Sequence, residues 1–211
     1  MGAHCHDHSE RFDGLTPGFR RALWAVIAIN GLMFLVELTA GALAGSRALQ
    51  ADALDFLADT ATYAISLCVL GLSLRARATA ALLKGLSLAA MGLWVLGATV
   101  YQVLVLGVPR AEVMGAVGVL ALAANLGSVL LLLRYKDGDA NVRSVWLCSR
   151  NDAIGNIAVL LAALGVWLSG TAWPDLIVAA VMATIFLWSA LLIVRQALGE
   201  FRYAKRTAAA E

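Results

Sequence analysis

Four polar side chains occupy two strongly apolar stretches of this sequence. Asp55 and Asp59 lie in one stretch, and Cys148 and Asp152 lie in the other. Each pair has i,i+4 spacing, so its two members project from one face of a helix, one above the other. An ionised aspartate near the bilayer centre costs about 2.5–3.5 kcal/mol on insertion scales, so such residues usually have a function. Three carboxylates and a thiolate are a set of four ligands that can bind a divalent cation, and they suit zinc well.

The elements that must position these residues are membrane-spanning helices. The sequence is 61% hydrophobic and 14% charged, whereas a soluble domain is about 45–50% apolar and about 25% charged. Six apolar stretches can each cross a hydrocarbon core, which takes about 20 helical residues. They lie near Ala22–Ala44, Leu49–Leu74, Leu83–Leu106, Val113–Leu133, Ser144–Leu168 and Leu176–Ala197. We therefore predict an all-α integral membrane protein, with six transmembrane helices in a bundle.

Basic residues between these stretches predict the orientation. Thirteen Lys and Arg residues fall in the two tails and in the second and fourth connections, whereas the first and third connections hold only Arg47 and Arg110. The positive-inside rule then places both termini in the cytoplasm. We expect a cytoplasmic tail over residues 1–21, a transport domain over 22–197 and a short cytoplasmic tail over 198–211. The net charge of +2 gives no reason to expect a nucleic-acid partner.

Depth in the membrane tests whether the two pairs can meet. The second helix runs inward, which places Asp55 and Asp59 roughly 9–15 Å from the outer boundary. The fifth helix runs outward, which places Cys148 and Asp152 roughly 6–12 Å from the inner boundary. In a core about 30 Å thick, the two pairs approach the midplane from opposite sides. The sequence therefore predicts one metal site made by Asp55, Asp59, Cys148 and Asp152.

Other polar residues are weaker candidates. Asp52 is one turn outward of Asp55, and either receives the ion on its exit path or lies in a hydrated outer vestibule. Glu37 either lines the same cavity or packs against a polar neighbour. Arg150 is two residues from each predicted ligand of its helix, so it should face away from them. Asp175 follows Pro174, as expected at a helix start, and is predicted to be structural.

The N-terminal tail holds all three histidines of the sequence, together with a cysteine. These residues are His4, Cys5, His6 and His8. Such a tract binds transition-metal ions weakly. It either raises the metal concentration at the cytoplasmic mouth or is a dispensable solvated tail.

The two motifs resemble those of the cation diffusion facilitator family. The stretch 51–59 (ADALDFLAD) is similar to the family's second-helix motif, and 148–156 (CSRNDAIGN) to its fifth-helix motif. Asn30, Glu37, Asn125 and Asp175 also match the family. The resemblance implies export of zinc or a related divalent cation, such as cadmium or cobalt, coupled to inward proton flow. It also implies a six-helix unit that forms homodimers, here through membrane helices, in a bacterial inner membrane. It implies no enzymatic activity and no bound cofactor.

Two departures from the family pattern change the expectations. Cys148 stands where the family usually has His or Asp, and a thiolate favours softer ions such as cadmium, mercury or cuprous copper. The family usually has a cytosolic metal-binding domain after the sixth helix, whereas only 14 residues follow Ala197. We therefore expect a short form without that domain.

Two classes of membrane enzyme also use aspartates, and the sequence argues against both. An intramembrane aspartyl protease needs a Gly-x-Gly-Asp motif, but the single Gly-Asp pair here is Gly138-Asp139, in a hydrophilic connection. A CDP-alcohol phosphotransferase needs a Gly four residues before Asp55, where Ala51 stands. Neither enzyme accounts for Cys148. A membrane metal sensor or accessory protein, which binds ions without transporting them, stays open as the alternative.

Overall fold

The computed structural model describes residues 16–68, 74–105, 107–135 and 140–207. These ranges form six α-helices joined by short connections, and no strand occurs among them. A 3-10 turn over Leu133–Tyr135 follows the fourth helix. The helices are α1 (Pro17–Ala44), α2 (Arg47–Cys68), α3 (Leu74–Val105), α4 (Ala111–Leu132), α5 (Ala140–Ser169) and α6 (Trp173–Thr207). The predicted all-α bundle is confirmed.

Helix α1 is capped at both ends. The Thr16 side chain accepts a hydrogen bond from the Phe19 N–H (3.4 Å), and Pro17 opens the first turn. The helix ends at Ala44 and is followed by Gly45, whose φ of 71° is in the left-handed region that glycine adopts without strain. Only Gly45 and Ser46 separate the two helices, so α2 begins at Arg47 and packs antiparallel against α1.

Two helices extend beyond their predicted ends. Helix α3 begins at Leu74 rather than Leu83, so residues 75–79 are helical and not a connection. Helix α6 continues to Thr207 rather than ending at Ala197. Both extensions consist largely of Leu, Ala, Arg, Lys and Glu, which are good helix formers. Hydropathy predicts where the lipid core ends, and these helices continue past it.

Five of the described helices contain stretches long and apolar enough to cross a membrane. Helix α2 is the exception, because Asp52, Asp55 and Asp59 fall together in any 18-residue window of it. Its 22 residues still give a length of about 33 Å, enough to span a core of about 30 Å. The other helices surround it, since it packs against α1, α3, α5 and α6. The most polar helix is therefore sheltered from lipid.

Glycines bring α3 and α6 close together. A methyl group added at Gly85 would lie 2.8 Å from Val194, and one at Gly92 would lie 2.9 Å from Leu187. At these points the side chains of α6 therefore lie directly against the backbone of α3, as small residues allow in membrane bundles. Large apolar side chains such as Leu130 and Trp167 remain exposed on the outside of the bundle, where lipid is expected.

The first turn of α2 is fixed by an acid from α6. Asp175 is buried, and its Oδ1 accepts hydrogen bonds from the Ser46 hydroxyl (2.6 Å) and from the Ala48 N–H (3.0 Å). Its Oδ2 accepts from the Arg47 N–H at 2.8 Å. Ser46 Oγ in turn accepts from the Leu49 N–H at 3.1 Å. Asp175 is thus in the first turn of α6, as predicted, but its carboxylate caps α2.

Further hydrogen bonds join the same end of the bundle. Arg47 Nε donates to Gln102 Oε1 of α3 at 2.6 Å, and Gln102 Nε2 donates to the Gly45 carbonyl at 2.8 Å. The Arg110 N–H donates to the Ala44 carbonyl at 3.0 Å. The beginning of α2 is therefore tied to α3 and α6, and the end of α1 is tied to the start of α4.

Candidate metal site

Three of the four predicted ligands surround one enclosed cavity in the bundle. Its lining consists of Asn30, Asp52, Asp55, Phe56, Asp59, Asn125 and Asp152. The cavity contains about 150 Å³ of space between atoms, but it is nowhere wide enough for a water molecule. Four helices contribute to it, because Asn30 comes from α1, Asn125 from α4 and Asp152 from α5. The structure therefore brings together the acids of α2 and α5 in a tightly closed space.

The carboxyl groups in this cavity interact directly. The Asp152 carboxyl is within hydrogen-bonding reach of those of Asp55 and Asp59. A hydrogen bond between two carboxyl groups requires a proton on one of them, because a carboxylate only accepts. The Tyr63 hydroxyl, one turn along α2, also donates to Asp59 Oδ2. The ligand oxygens can thus hold protons as well as a metal ion.

Cys148 lies beside this cavity rather than in its lining. It is half-buried and packs against an apolar cluster that includes Phe19, Leu23 and Tyr63. Its thiol also interacts electrostatically with Asp59. Among the described residues, no three His, Cys, Asp or Glu side chains are arranged to hold a metal ion in this conformation. A four-ligand site with Cys148 would therefore require side-chain rearrangement.

Asp52 and Glu37 form a second acidic pair. Asp52 is 2% exposed, so the predicted alternative of a hydrated vestibule does not describe it in this conformation. Glu37 is fully buried in α1, and its carboxyl lies within hydrogen-bonding reach of Asp52. Asp52 also lines the cavity. The acidic pair and the cavity are therefore contiguous.

Lys84 and Tyr63 were missed as site residues in the sequence. Lys84 lies on α3 and interacts electrostatically with Asp55, Asp59 and Cys148. Tyr63 could have been recognised, because it continues the Asp55 and Asp59 face at i+4. Lys84 offered no such signal, since its position depends on how α3 packs against α2.

Arg150 is placed as predicted. It is exposed and lies over the Trp146 ring, with 5.4 Å between the guanidinium carbon and the ring centroid. It therefore faces away from the cavity. The tail residues His4, Cys5, His6 and His8 lie outside the described residues, and their proposed contact with metal stays a prediction.

Comparisons with known proteins agree with this architecture. A family model described as the cation efflux transmembrane domain matches residues 23–201. The chain is 28% identical over 203 residues to the metal cation efflux system protein CzcD of Cupriavidus metallidurans, covering 89% of this chain and 60% of that protein. It is also 28% identical over 211 residues to the zinc transporter ZitB of Escherichia coli, covering 94% of this chain and 67% of that protein. The chain thus spans about 60% of the length of its CzcD relative.

Proposed function

The chain belongs to the cation efflux family, also called cation diffusion facilitators, and we propose that it exports divalent transition-metal cations from the cytoplasm in exchange for protons. The observation that carries this proposal is the convergence of Asp55 and Asp59 with Asp152 around one interior cavity. Two relatives are named as metal-cation and zinc transporters, which supports the same class of cargo. Zinc is the favoured cargo, with cadmium and cobalt as alternatives.

The ligand set that we propose consists of the three carboxylates and the Cys148 thiolate. Zinc takes four ligands at about 2.0–2.3 Å in a tetrahedron. The three carboxyl groups line one narrow cavity, so a rearrangement of their side chains would bring their oxygens around one ion. Cys148 must then turn from its contact with Tyr63 toward the cavity. The sulfur ligand would bias the site toward cadmium relative to an all-oxygen site.

Proton exchange follows from competition for the same oxygen atoms. Asp55, Asp59 and Asp152 line one cavity, where a proton can be shared between two carboxyl groups, whereas metal binding requires deprotonated carboxylates. Metal loading on the cytoplasmic side therefore expels protons, and protonation from the opposite side expels the metal. Two conformations, open to either side in turn, complete the cycle.

Zinc uptake into proteoliposomes tests this proposal. Asp59→Ala should lower the rate of proton-driven zinc uptake at least about 100-fold, because it removes a ligand and the acceptor for Tyr63. The matched control is Glu112→Ala, an exposed acid in the first turn of α4, which should transport within about twofold of the wild type. Uptake by Asp59→Ala at the wild-type rate would refute the assignment.

The same preparation distinguishes a transporter from a metal sensor or accessory protein. A wild type that binds zinc but moves none across the membrane would support the sensor. A panel of zinc, cadmium and cobalt uptake for the wild type and Cys148→His addresses the cargo. A changed ranking of the ions identifies the sulfur as a selectivity determinant, and an unchanged ranking removes it from the ligand set.

Placement in the cell and assembly complete the proposal. The chain is a multi-pass membrane protein, and we expect it in a bacterial inner membrane with both termini in the cytoplasm. The homodimer through membrane helices stays a prediction, which cysteine crosslinking in intact membranes tests.

A further inference from the structure

Glu37 of α1 and Asp52 of α2 are buried together in the bundle. Glu37 is 0% exposed and Asp52 is 2% exposed. Their carboxyl groups lie within hydrogen-bonding reach of each other. When both are ionised, neither has a proton to donate, and Glu37 Oε1, Glu37 Oε2 and Asp52 Oδ2 have no hydrogen-bond donor among the described residues. Two such acids repel each other in a medium of low dielectric constant.

No basic side chain in the described part of the chain donates a hydrogen bond to Glu37 Oε1, Glu37 Oε2 or Asp52 Oδ2. Glu37 interacts electrostatically with Asp52 and Asp55, and Asp52 interacts with Glu37. Lys84 acts on Asp55 and Asp59 instead. A buried pair of acids is stable only if something positive lies between them, which is either a proton or a metal cation.

Two amides provide an independent sign that a ligand binds nearby. Asn30 is 1% exposed and Asn125 is 2% exposed. Asn30 Nδ2 and Asn125 Oδ1 have no hydrogen-bond partner among the described residues. Both side chains line the cavity that Asp52 shares with the proposed metal ligands. The Asn125 oxygen, in the same cavity as Asp52, is a further possible ligand for a cation.

We propose that Glu37 and Asp52 form an outer cation site, which receives the dication after it leaves Asp55, Asp59 and Asp152. Asp52 precedes Asp55 by three residues, which is a rise of about 4.5 Å along α2, toward the end predicted to face outside. The site offers oxygen ligands alone, so it should hold zinc more weakly than a site with a thiolate. Weak binding suits a transit position, because an ion must also leave it. This inference rests on the proposed transport function.

Zinc stoichiometry tests the outer cation site directly. Equilibrium dialysis against zinc of the purified full chain in detergent, with His4, Cys5, His6 and His8 replaced by Ala in every sample so that the tail binds none, should give two equivalents, the second at least about tenfold weaker than the first. Glu37→Gln should lose the weaker equivalent, retain the tighter one and slow zinc uptake at least about fivefold in proteoliposomes. Glu112→Gln, an exposed acid outside both sites, is the matched control and should behave as the wild type. If Glu37→Gln fails to fold, Asp52→Asn serves in the same measurement.

Three results separate the possible failures. A single zinc equivalent in the wild type, unchanged in Glu37→Gln with normal uptake, would overturn the outer site and leave the proposed transport function standing. A Glu37→Gln protein that changes the pH dependence of uptake while keeping the wild-type zinc stoichiometry would overturn it too, because the pair then holds a proton. A wild type that neither binds nor transports zinc would instead overturn the proposed function.

Discussion

Replacing Asp175 should destabilise the whole bundle, although this residue is remote from the cavity in the sequence. Asp175→Ala removes the acceptor for the Ser46 hydroxyl and for the N–H groups of Arg47 and Ala48. A buried donor left without a partner costs about 1–3 kcal/mol. The Ser46 oxygen still accepts from the Leu49 N–H, but the Ser46 hydroxyl proton loses its acceptor. The end of the bundle is near water, so part of this cost is recovered. We expect a net loss of about 3 kcal/mol.

The expected loss is large enough to measure by thermal unfolding. For a chain of this size, 1 kcal/mol corresponds to about 2–4 °C in Tm, so Asp175→Ala should unfold roughly 6–12 °C below the wild type. The six tryptophans provide an intrinsic fluorescence signal in detergent. Asp175→Asn keeps one acceptor oxygen and should lose about half as much. Glu112→Ala is the exposed-acid control. A Tm for Asp175→Ala within about 2 °C of the wild type would contradict the capping role.

Three further predictions concern the cavity. Lys84→Met should tighten zinc binding about tenfold, or about 1.4 kcal/mol, because it removes a positive charge that acts on three proposed ligands. An unchanged zinc affinity in equilibrium dialysis would count against that interaction. Tyr63→Phe should lower the Tm, since it removes the hydroxyl donor to Asp59. Its zinc affinity should stay within about threefold of the wild type. A loss of zinc binding as large as that of Asp59→Ala would make Tyr63 a ligand. Zinc affinity should fall as pH falls, because protons and zinc compete for the same oxygens; calorimetry in buffers of different ionisation enthalpy should show at least about one proton released per zinc, and none would exclude the competition.

The helices could be predicted because lipid imposes a strict requirement on the sequence. A segment that crosses the hydrocarbon core must satisfy its backbone internally and present apolar side chains, so hydropathy reveals it. The same signal cannot show where a helix ends in water. Helix α3 starts nine residues before its predicted start at Leu83, and α6 runs ten residues past Ala197. The helix propensity of the residues and the solvation of the backbone, rather than lipid, determine where those helices end.

The site could be predicted in part, because spacing along one helix fixes which side chains share a face. Asp55 and Asp59 share one face of α2 for that reason, and the structure places both in one cavity with Asp152 of α5. Cys148 is four residues from Asp152, which turns it by about 40° and shifts it by about 6 Å along the helix. Asp55 and Asp59 have the same offset and both line the cavity, so spacing alone does not explain why Cys148 packs against the cluster around Tyr63 instead. Contacts between distant helices, such as that of Lys84 with the acids, depend on packing that spacing does not encode.

The hydrogen-bonded start of α2 makes this helix a lever with a fixed end. Its 22 residues extend about 33 Å, so a tilt of about 10° about the fixed end would carry the far end about 6 Å sideways. Asp59, 12 residues from Arg47, would move about 3 Å in the same tilt. Metal–ligand distances tolerate only about 0.2 Å. A modest swing at one end of the helix is therefore sufficient to break coordination at its middle.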